Sequence, residues 1–287
     1  MKRNNIFYGV IFGMSLLVLL AIPLVIGEDV ISSVSILGAS PVVGPLTTSD
    51  NIALSSCGTV LVQCNTTVTD SNGWNDIDVV NATLWDAAST TEGASDDNSS
   101  HYTNQSCNFT GSGSTANANC DFTLQYHANA TEWTCKIYAN DTSSNVDSNS
   151  TADVTVNTLR ALDAESTISF GSLSPGANSS TDVNNTLTNC GNAAIDLNLS
   201  GTNLTNTSAS VTNISVSNVK YNVTDWNQSY TANMTSLTET STYADFSLAK
   251  RTNGVTTNKT YWKIGIPASI ETFLYRGNIT FTAVADT

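Results

Sequence analysis

The sequence predicts an all-β protein with two β-sandwich domains that follow an N-terminal hydrophobic helix. Three observations predict this fold class. Apolar and polar residues alternate along much of the chain, no stretch after the leader keeps a helical period, and turn sequences separate the alternating runs. The alternation breaks near residues 157–165, at NTLRALDAE. We therefore predict a leader of residues 1–27, a first domain of residues 28–158 and a second of residues 159–287.

The leader consists of MKRNN followed by the apolar stretch IFYGVIFGMSLLVLLAIPLVIG. The length of this stretch fits a retained transmembrane anchor, whereas Val25 and Gly27 fit the small-residue end of a cleaved signal peptide. Both alternatives stay open at this point. In either case the remaining chain is predicted to be extracellular or on the cell surface, and to meet the membrane only through this segment if the segment is uncleaved.

The charge of the exported part excludes one class of partner. Lys2 and Arg3 lie in the leader, so 8 basic residues remain against 24 acidic ones, and the net charge is near −16. Nucleic-acid binding requires clustered Lys and Arg that neutralise phosphates. The sequence therefore predicts no nucleic-acid partner.

Asparagine, serine and threonine are abundant, and the chain contains nineteen Asn-x-Ser/Thr sequons. Such sequons accept N-linked sugar when a chain enters a secretory route. An Asn- and Thr-rich chain also produces sequons by chance. The placement of the sequons on the predicted strands is therefore the informative observation.

The strand pattern of the first domain is clearest in TVLVQCNTTV, where Val62, Cys64 and Thr66 share one face and the sequon Asn65 lies on the other. The same parity recurs in VVNATL, CNFT and EWTCKIYAND. Chance would place about half of the sequons on the buried parity. We therefore predict outward-facing glycosylation sites at Asn65, Asn81, Asn108, Asn140, Asn198, Asn213 and Asn278.

The second domain shows the same alternation. Ile168 with Phe170, and the residues of IDLNLSG, WKIGI and ITFTA, are predicted to form strands with one apolar face. The turn sequences SPG, NCGN, SGTN and NG separate these runs. In the first domain, by contrast, the polar segment of residues 86–105 is predicted to be a mobile, glycosylated loop.

A resemblance to a known family rests on Cys64 in one predicted strand and Cys135 in WTCKIYAND. Residues 30–157 resemble an immunoglobulin-like domain, and the resemblance implies a cross-sheet disulfide between Cys64 and Cys135. TDSNGWNDI and CKIYANDTSSN are similar to immunoglobulin-like modules of prokaryotic, archaeal-type cell-surface glycoproteins. Two residues depart from the antibody pattern, because Trp74 lies in a turn and Trp133 stands where the family usually has Tyr. The second domain, with ISFGSLSPG and WKIGIPA, is similar to β-domains of secreted archaeal proteins.

For the other four cysteines, the predictions rest on the sequence alone and not on the resemblance. Six cysteines in an exported chain imply disulfides. Cys107 and Cys120 flank the hairpin-like NFTGSGSTANAN and are predicted to pair. For Cys57 and Cys190, a bond between the two domains, two free thiols and an intermolecular bond all stay open.

The acidic stretch of residues 65–83 raises the possibility of a metal site. The oxygens after Asp70 do not have the EF-hand spacing. A looser calcium site formed by Asp70, Asp76 and Asp141 is the weaker hypothesis. The favoured prediction is a solvated turn at Asn72-Gly73, with no metal and no cofactor.

No enzyme motif is present, because H-E-x-x-H, G-x-S-x-G, the Walker A sequence and G-x-G-x-x-G are all missing. His101 is predicted in a polar loop and His127 on the outer face of a strand. The sequence therefore predicts a protein that is not an enzyme, and a secreted hydrolase is disfavoured. Trp74 and Trp226 are candidate ligand-binding residues, with anchoring of loops against the sandwich as the favoured alternative.

The most economical hypothesis is a secreted or cell-surface glycoprotein with a structural or assembly role. An adhesin or carbohydrate-binding surface module is the alternative. The expected partners are surface glycans or other envelope proteins, and nothing in the sequence specifies which.

Overall fold

The computed structural model describes residues 31–35, 37–206 and 212–287, and for Asp153 only the backbone. Residues Gly38–Thr287 form one compact unit. The predicted hydrophobic helix of residues 1–27 lies outside the described residues. Among the residues that are described, no helix has the length and apolar character needed to cross a membrane.

The first half of the described chain contains nine strands and a 3-10 helix at Trp74–Asp76. The strands are β1 (Val42–Val43), β2 (Thr47–Thr48), β3 (Thr59–Thr69), β4 (Ile77–Trp85), β5 (His101–Asn104), β6 (Asn108–Ser112), β7 (Thr115–Gln125), β8 (Glu132–Asp141) and β9 (Val146–Thr155).

These strands form two antiparallel sheets. One has the order β1-β3-β7-β6, with β2 also paired to β3, and the other has the order β5-β4-β8-β9. This is the A-B-E-D and C′-C-F-G arrangement of an immunoglobulin-like sandwich, with β3 as strand B and β8 as strand F. The predicted all-β class is confirmed for the described residues.

The core of the first sandwich follows from the alternation in the sequence. Val62, Cys64, Thr66 and Val68 of β3 are buried, while the residues between them are exposed or half-buried. Trp133 is fully buried in the same core and its indole N–H donates to the carbonyl oxygen of Asn129, at 2.9 Å. The apolar face therefore drives sheet packing, and the polar atom of the largest side chain is satisfied.

The second half contains eleven strands and a 3-10 helix at Val216–Asn218. The strands are β10 (Leu162–Ala164), β11 (Val183–Asn189), β12 (Ile195–Gly201), β13 (Leu204–Asn206), β14 (Asn213–Ile214), β15 (Val219–Asn222), β16 (Thr235–Ser236), β17 (Thr242–Leu248), β18 (Thr257–Ile264), β19 (Tyr275–Arg276) and β20 (Ile279–Ala285).

The second half also has a layered β architecture. One sheet has the order β10-β11-β18-β15-β16, and it is accompanied by the sheets β17-β12-β20 and β14-β13-β19. Trp262 of β18 packs edge-on against Phe281 of β20, with ring centroids 5.7 Å apart, so the aromatic core joins two sheets. This core is separate from that of the first sandwich. The predicted boundary at residues 158 and 159 stays a prediction.

Two local predictions were wrong. Ile168 and Phe170 lie outside the strands, although both pack against the second core. The segment of residues 86–105, predicted as a mobile loop, contains β5 and buries His101 and Tyr102. The carboxylate of Asp97 accepts three consecutive backbone N–H groups there, which gives a polar sequence a defined turn.

Candidate functional site

All six cysteines lie in the described part of the chain, and all are paired. Cys64 of β3 is bonded to Cys135 of β8, which joins the two sheets of the first sandwich through its core. Cys107 is bonded to Cys120 across 13 residues of sequence. Cys57 is bonded to Cys190, at a sequence separation of 133. This third bond connects the turn before β3 to the turn after β11.

The turn NCGN at residues 189–192 is the centre of a junction between the two sandwiches. The Asn192 side chain is 3 % exposed; its Nδ2 donates to the carbonyl oxygens of Ala128 and Asn157, at 2.8 and 3.0 Å, and its Oδ1 accepts from Leu159 N at 2.7 Å. A Cβ on Gly191 would lie 2.1 Å from the carbonyl oxygen of Leu159, so only glycine fits this close approach. The junction is therefore formed largely by backbone groups around one buried amide.

A second polar connection at the junction runs through Asn129. Its Oδ1 accepts from Lys250 Nζ at 2.6 Å, and its Nδ2 donates to Asp86 Oδ2 at 2.8 Å. Asp86 is buried, and its other oxygen accepts the Ala88 N–H. The amide of Asn129 thus links a lysine of the second sandwich to a carboxylate of the first. Sequence reasoning missed these residues, and the only available signal was the turn sequence NCGN.

At the opposite end of β3, the structure brings Asp70, Asp76 and Asp141 together. One carboxylate oxygen from each lies within 4.8 Å of the others. Asp70 directly follows β3, Asp76 ends the 3-10 helix and Asp141 ends β8. The turn predicted at Asn72-Gly73 is present, with Asn72 exposed and Gly73 at a φ of 110°. The aspartates beside it are buried, because Asp70 is 1 % and Asp141 2 % exposed. We call this group the acidic corner.

Hydrogen bonds inside the acidic corner fix two of its carboxylates. Asp141 Oδ1 accepts the N–H groups of Ser143 and Asn145, and Oδ2 accepts from the Asn145 side chain. Burial acts to raise the pKa of Asp141, but these hydrogen bonds outweigh it and hold the pKa below its usual value. Asp76 Oδ1 accepts from the Thr142 hydroxyl. The corner is thus a defined arrangement of carboxylates.

The asparagines of the sequons are all described, and none is buried. Of the seven predicted on strand faces, Asn108, Asn213 and Asn278 are exposed, and the other four are half-buried. A groove of about 490 Å³ on the β3-β7-β6 face is lined in part by Asn65 and Asn108. The buried asparagines of the described chain, by contrast, all lie outside sequons, at Asn185, Asn189 and Asn192.

The two candidate ligand-binding tryptophans differ in environment. Trp74 is half-buried and packs against the first core, and a Cβ on Gly111 would lie 2.8 Å from its ring. Trp226 is 72 % exposed. The structure does not bring these two residues into one site, and only Trp226 presents a free aromatic face to solvent.

The histidine predictions need correction. His101 is buried, with its ring nitrogens paired to Asp96 and to the carbonyl oxygen of Glu92. His127 was predicted on an outer strand face, but it is buried in the turn after β7. Burial, together with Arg251 and Lys250, lowers the pKa of His127. The His101 ring acts as a polar anchor for the preceding loop, which the sequence pattern did not indicate.

Comparisons with known proteins do not identify a family or a function for this chain. No family model matches the chain, and no curated protein matches it. A solved DUF4466 family protein from Parabacteroides merdae is 7 % identical, with 79 % of this chain and 99 % of that chain covered, at a TM-score of 0.28. A chaperone–tip adhesin complex of CFA/I fimbriae is 10 % identical, with 86 % and 83 % covered, also at 0.28. At this TM-score neither similarity shows a shared fold.

The described part of the chain is all-β and contains three disulfides. Disulfides form and persist in oxidising compartments, and they are typical of secreted and extracellular proteins. The three disulfides are therefore those expected of a secreted or extracellular protein.

Proposed function

We propose that this chain is an N-glycosylated protein of the cell surface or the secreted fraction, with a structural or assembly role and no catalytic activity. The finer likeness to prokaryotic, archaeal-type surface glycoproteins forms part of the proposal and rests on the sequence motifs. The observation that carries the proposal is the separation of the asparagines into two groups. No sequon asparagine is buried as a residue, while the buried asparagines of the described chain are all outside sequons.

N-linked sugar at these positions would cover the solvent-exposed faces of the sheets. None of the seven asparagines predicted to face outward donates an Nδ2 hydrogen bond to another described residue, so attachment of sugar there breaks no such bond. Bulky polar sugar on the strands would also hinder edge-to-edge pairing of sheets between molecules. The low content of charged residues, 12 %, leaves neutral polar groups and sugar as the main source of solubility.

A structural role is supported by the way polar groups are used. Asn192, Asn129, Asp86 and Lys250 are engaged with one another or with backbone at the junction between the sandwiches. Asp86 and Lys250, which could otherwise act as an acid or a base, are thereby engaged in hydrogen bonds of the junction. A disulfide and buried hydrogen bonds at one place favour a fixed relation between the two sandwiches.

The proposal is tested on protein isolated from its own cells. We expect glycopeptide mapping to find sugar on several of the seven outward asparagines, and electron microscopy of the cell envelope or purified protein to show ordered arrays or filaments. Bare asparagines at all seven positions would contradict the glycoprotein proposal. A monodisperse particle with hydrolytic activity would contradict the structural one.

An adhesin or carbohydrate-binding role is the second candidate, and the exposure of Trp226 favours it. Flat aromatic rings on a surface provide a face on which sugar rings stack. If this candidate is correct, glycan-array binding should be lost in Trp226→Ala and kept in Phe273→Ala. Phe273 is a matched control because it is another exposed aromatic, 52 % accessible, in the same sandwich. Equal binding by both variants would contradict it.

A further inference from the structure

The acidic corner has the features of a cation site that no part of the proposed function uses. Its three carboxylates come from different places in the fold. Asp70 follows β3 of one sheet, whereas Asp76 precedes β4 and Asp141 ends β8 of the other sheet. The carboxylate oxygens converge to within 4.8 Å. Three acidic side chains from two sheets therefore meet at one point between the B–C and F–G corners.

A second and independent observation concerns the Asp70 side chain. It is 1 % exposed, and its Oδ1 accepts the Asn72 N–H at 2.7 Å. Its Oδ2 is shielded from solvent and has no hydrogen-bond partner among the described residues. A buried carboxylate oxygen without a partner is costly, because it has lost water and gained nothing in exchange. A ligand that supplies positive charge would remove this cost.

Basic side chains do not supply that charge. The ion pairs found in the described residues join His101 to Asp96, Lys136 to Glu92 and Lys263 to Asp182, and none includes a member of the acidic corner. Carboxylates less than 5 Å apart repel one another strongly where water is excluded. The arrangement is therefore electrostatically incomplete on its own.

We propose that the acidic corner binds a calcium ion. The donors are carboxylate oxygens, with no cysteine or histidine in the group, and hard oxygen donors suit Ca²⁺ rather than zinc or copper. Calcium takes six to eight oxygens in flexible geometry, whereas Mg²⁺ demands a near-ideal octahedron and keeps its water. Ligands from a strand end, a 3-10 helix and a second strand end form an irregular set that favours the larger ion. The spacing is unlike an EF-hand because the ligands come from two separate corners.

The bound ion would connect the two sheets at this end of the sandwich. Asp76 and the residue after Asp141 are already in contact, since Thr142 N donates to the Asp76 carbonyl oxygen at 2.8 Å. Calcium would add Asp70, and with it the end of β3. The ion would thus act at the corner as the Cys64–Cys135 disulfide acts in the core, and the corner loops would become more ordered when calcium binds.

The test measures thermal unfolding of the purified full chain after treatment with a chelator. We expect about 1 mM Ca²⁺ to raise the unfolding midpoint by about 5 °C, and the same concentration of Mg²⁺ to raise it far less. Asp70→Asn keeps the shape of the side chain and should abolish the calcium shift. Asp78→Asn is the matched control, because Asp78 is an exposed neighbour on β4 and should leave the shift intact. No calcium shift, an equal magnesium shift, or a full shift in Asp70→Asn would overturn the proposal.

A second measurement tests the proposal even if Asp70→Asn does not fold. Terbium(III) binds at calcium sites and emits when a nearby tryptophan is excited, and Trp74 lies between Asp70 and Asp76 in the chain. We expect terbium emission from the wild-type chain that excess Ca²⁺ displaces, and a marked loss of that emission in Trp74→Phe. Emission that calcium does not displace, or that is unchanged in Trp74→Phe, would place the ion elsewhere and contradict the proposal.

Discussion

Two buried polar side chains at opposite ends of the first sandwich, Asn192 and Asp70, differ in how completely they are hydrogen-bonded. β3 connects the two ends, and its eleven residues separate Cys57 from Asp70 by roughly 35 Å or more. At the Cys57 end, the chain itself satisfies the buried amide of Asn192 with three hydrogen bonds. At the Asp70 end, a buried carboxylate oxygen is left without a partner in the described chain.

This difference separates Asn192, which stabilises the fold, from Asp70, which we propose to be a ligand of a bound ion. Both Asn192 and Asp70 are almost completely buried, so burial alone does not separate them. The completeness of their hydrogen bonding does. The junction is expected to be stable in the isolated chain, whereas the acidic corner is expected to respond to cations.

Removal of the junction disulfide should have the largest effect. Cys57→Ala with Cys190→Ala should lower the free energy of unfolding by about 4 to 5 kcal/mol, because the bond closes a long loop in the unfolded chain. Denaturant unfolding measures this loss. As a control, Cys107→Ala with Cys120→Ala opens a short loop and should cost about 3 kcal/mol. A smaller loss at the junction than at the hairpin would show that the junction adds little to stability.

Loss of the buried amide at the junction should come next. Asn192→Ala removes three hydrogen bonds and leaves two buried carbonyl groups and one N–H without partners, so we expect a loss of about 3 kcal/mol. Asn253→Ala, at an exposed turn, should change stability by less than about 0.5 kcal/mol. Chemical denaturation of both variants provides the measurement. A loss below about 1 kcal/mol for Asn192→Ala would mean that water replaces the amide and that the junction is open.

The sequence could predict the strands but not these polar groups, and the physical reason is clear. The alternation around Cys64 identifies a buried face because side chains alternate along any strand, whatever that strand pairs with. The pairing of Cys107 with Cys120 follows from a short hairpin. The roles of Asn192 and Asp70 depend on which backbone groups arrive from distant segments, and local pattern carries no such information. The same limit explains why His127 was placed on an outer face.

Asp196 offers a carboxylate that is buried like Asp70 but fully satisfied. It accepts from Tyr243 and from the N–H groups of Phe246, Ser247 and Thr287 at a bulge between β12 and β17. Burial acts to raise its pKa, but these hydrogen bonds lower it below the 3.8 of a free Asp. Because the folded pKa is depressed, the stabilisation is present above about pH 4 and is lost as the pH falls below that value.

Asp196→Asn should therefore lower stability by about 2 kcal/mol at neutral pH and weaken the dependence of stability on pH below about 4. Unfolding midpoints measured between about pH 7 and pH 2 check both effects. Ca²⁺ should not change the stability difference between Asp196→Asn and the wild type, because both oxygens of the Asp196 carboxylate already accept hydrogen bonds. If Ca²⁺ raised the unfolding midpoint of the wild type but not that of Asp196→Asn, Asp196 would also take part in calcium binding, and this result would contradict the contrast with Asp70.

The smallest effect is expected at Lys250. Lys250→Met keeps the aliphatic stem and removes one charged hydrogen bond to Asn129, at a cost of about 1 kcal/mol. Urea unfolding at low and high salt measures the change, and salt should reduce the difference between variant and wild type. Lys259→Met, on an exposed part of β18, is the control and should be close to neutral. An equal effect at both positions would mean that Lys250 contributes only net charge.

The most direct test of the whole account is a non-reduced peptide map of the native protein, isolated from its own cells. We predict peptides that link Cys57 to Cys190, Cys64 to Cys135 and Cys107 to Cys120, with sugar on outward asparagines such as Asn108 and Asn278. This result would establish an exported glycoprotein whose two sandwiches are covalently joined. Free thiols together with bare asparagines would contradict export, and the proposed function with it.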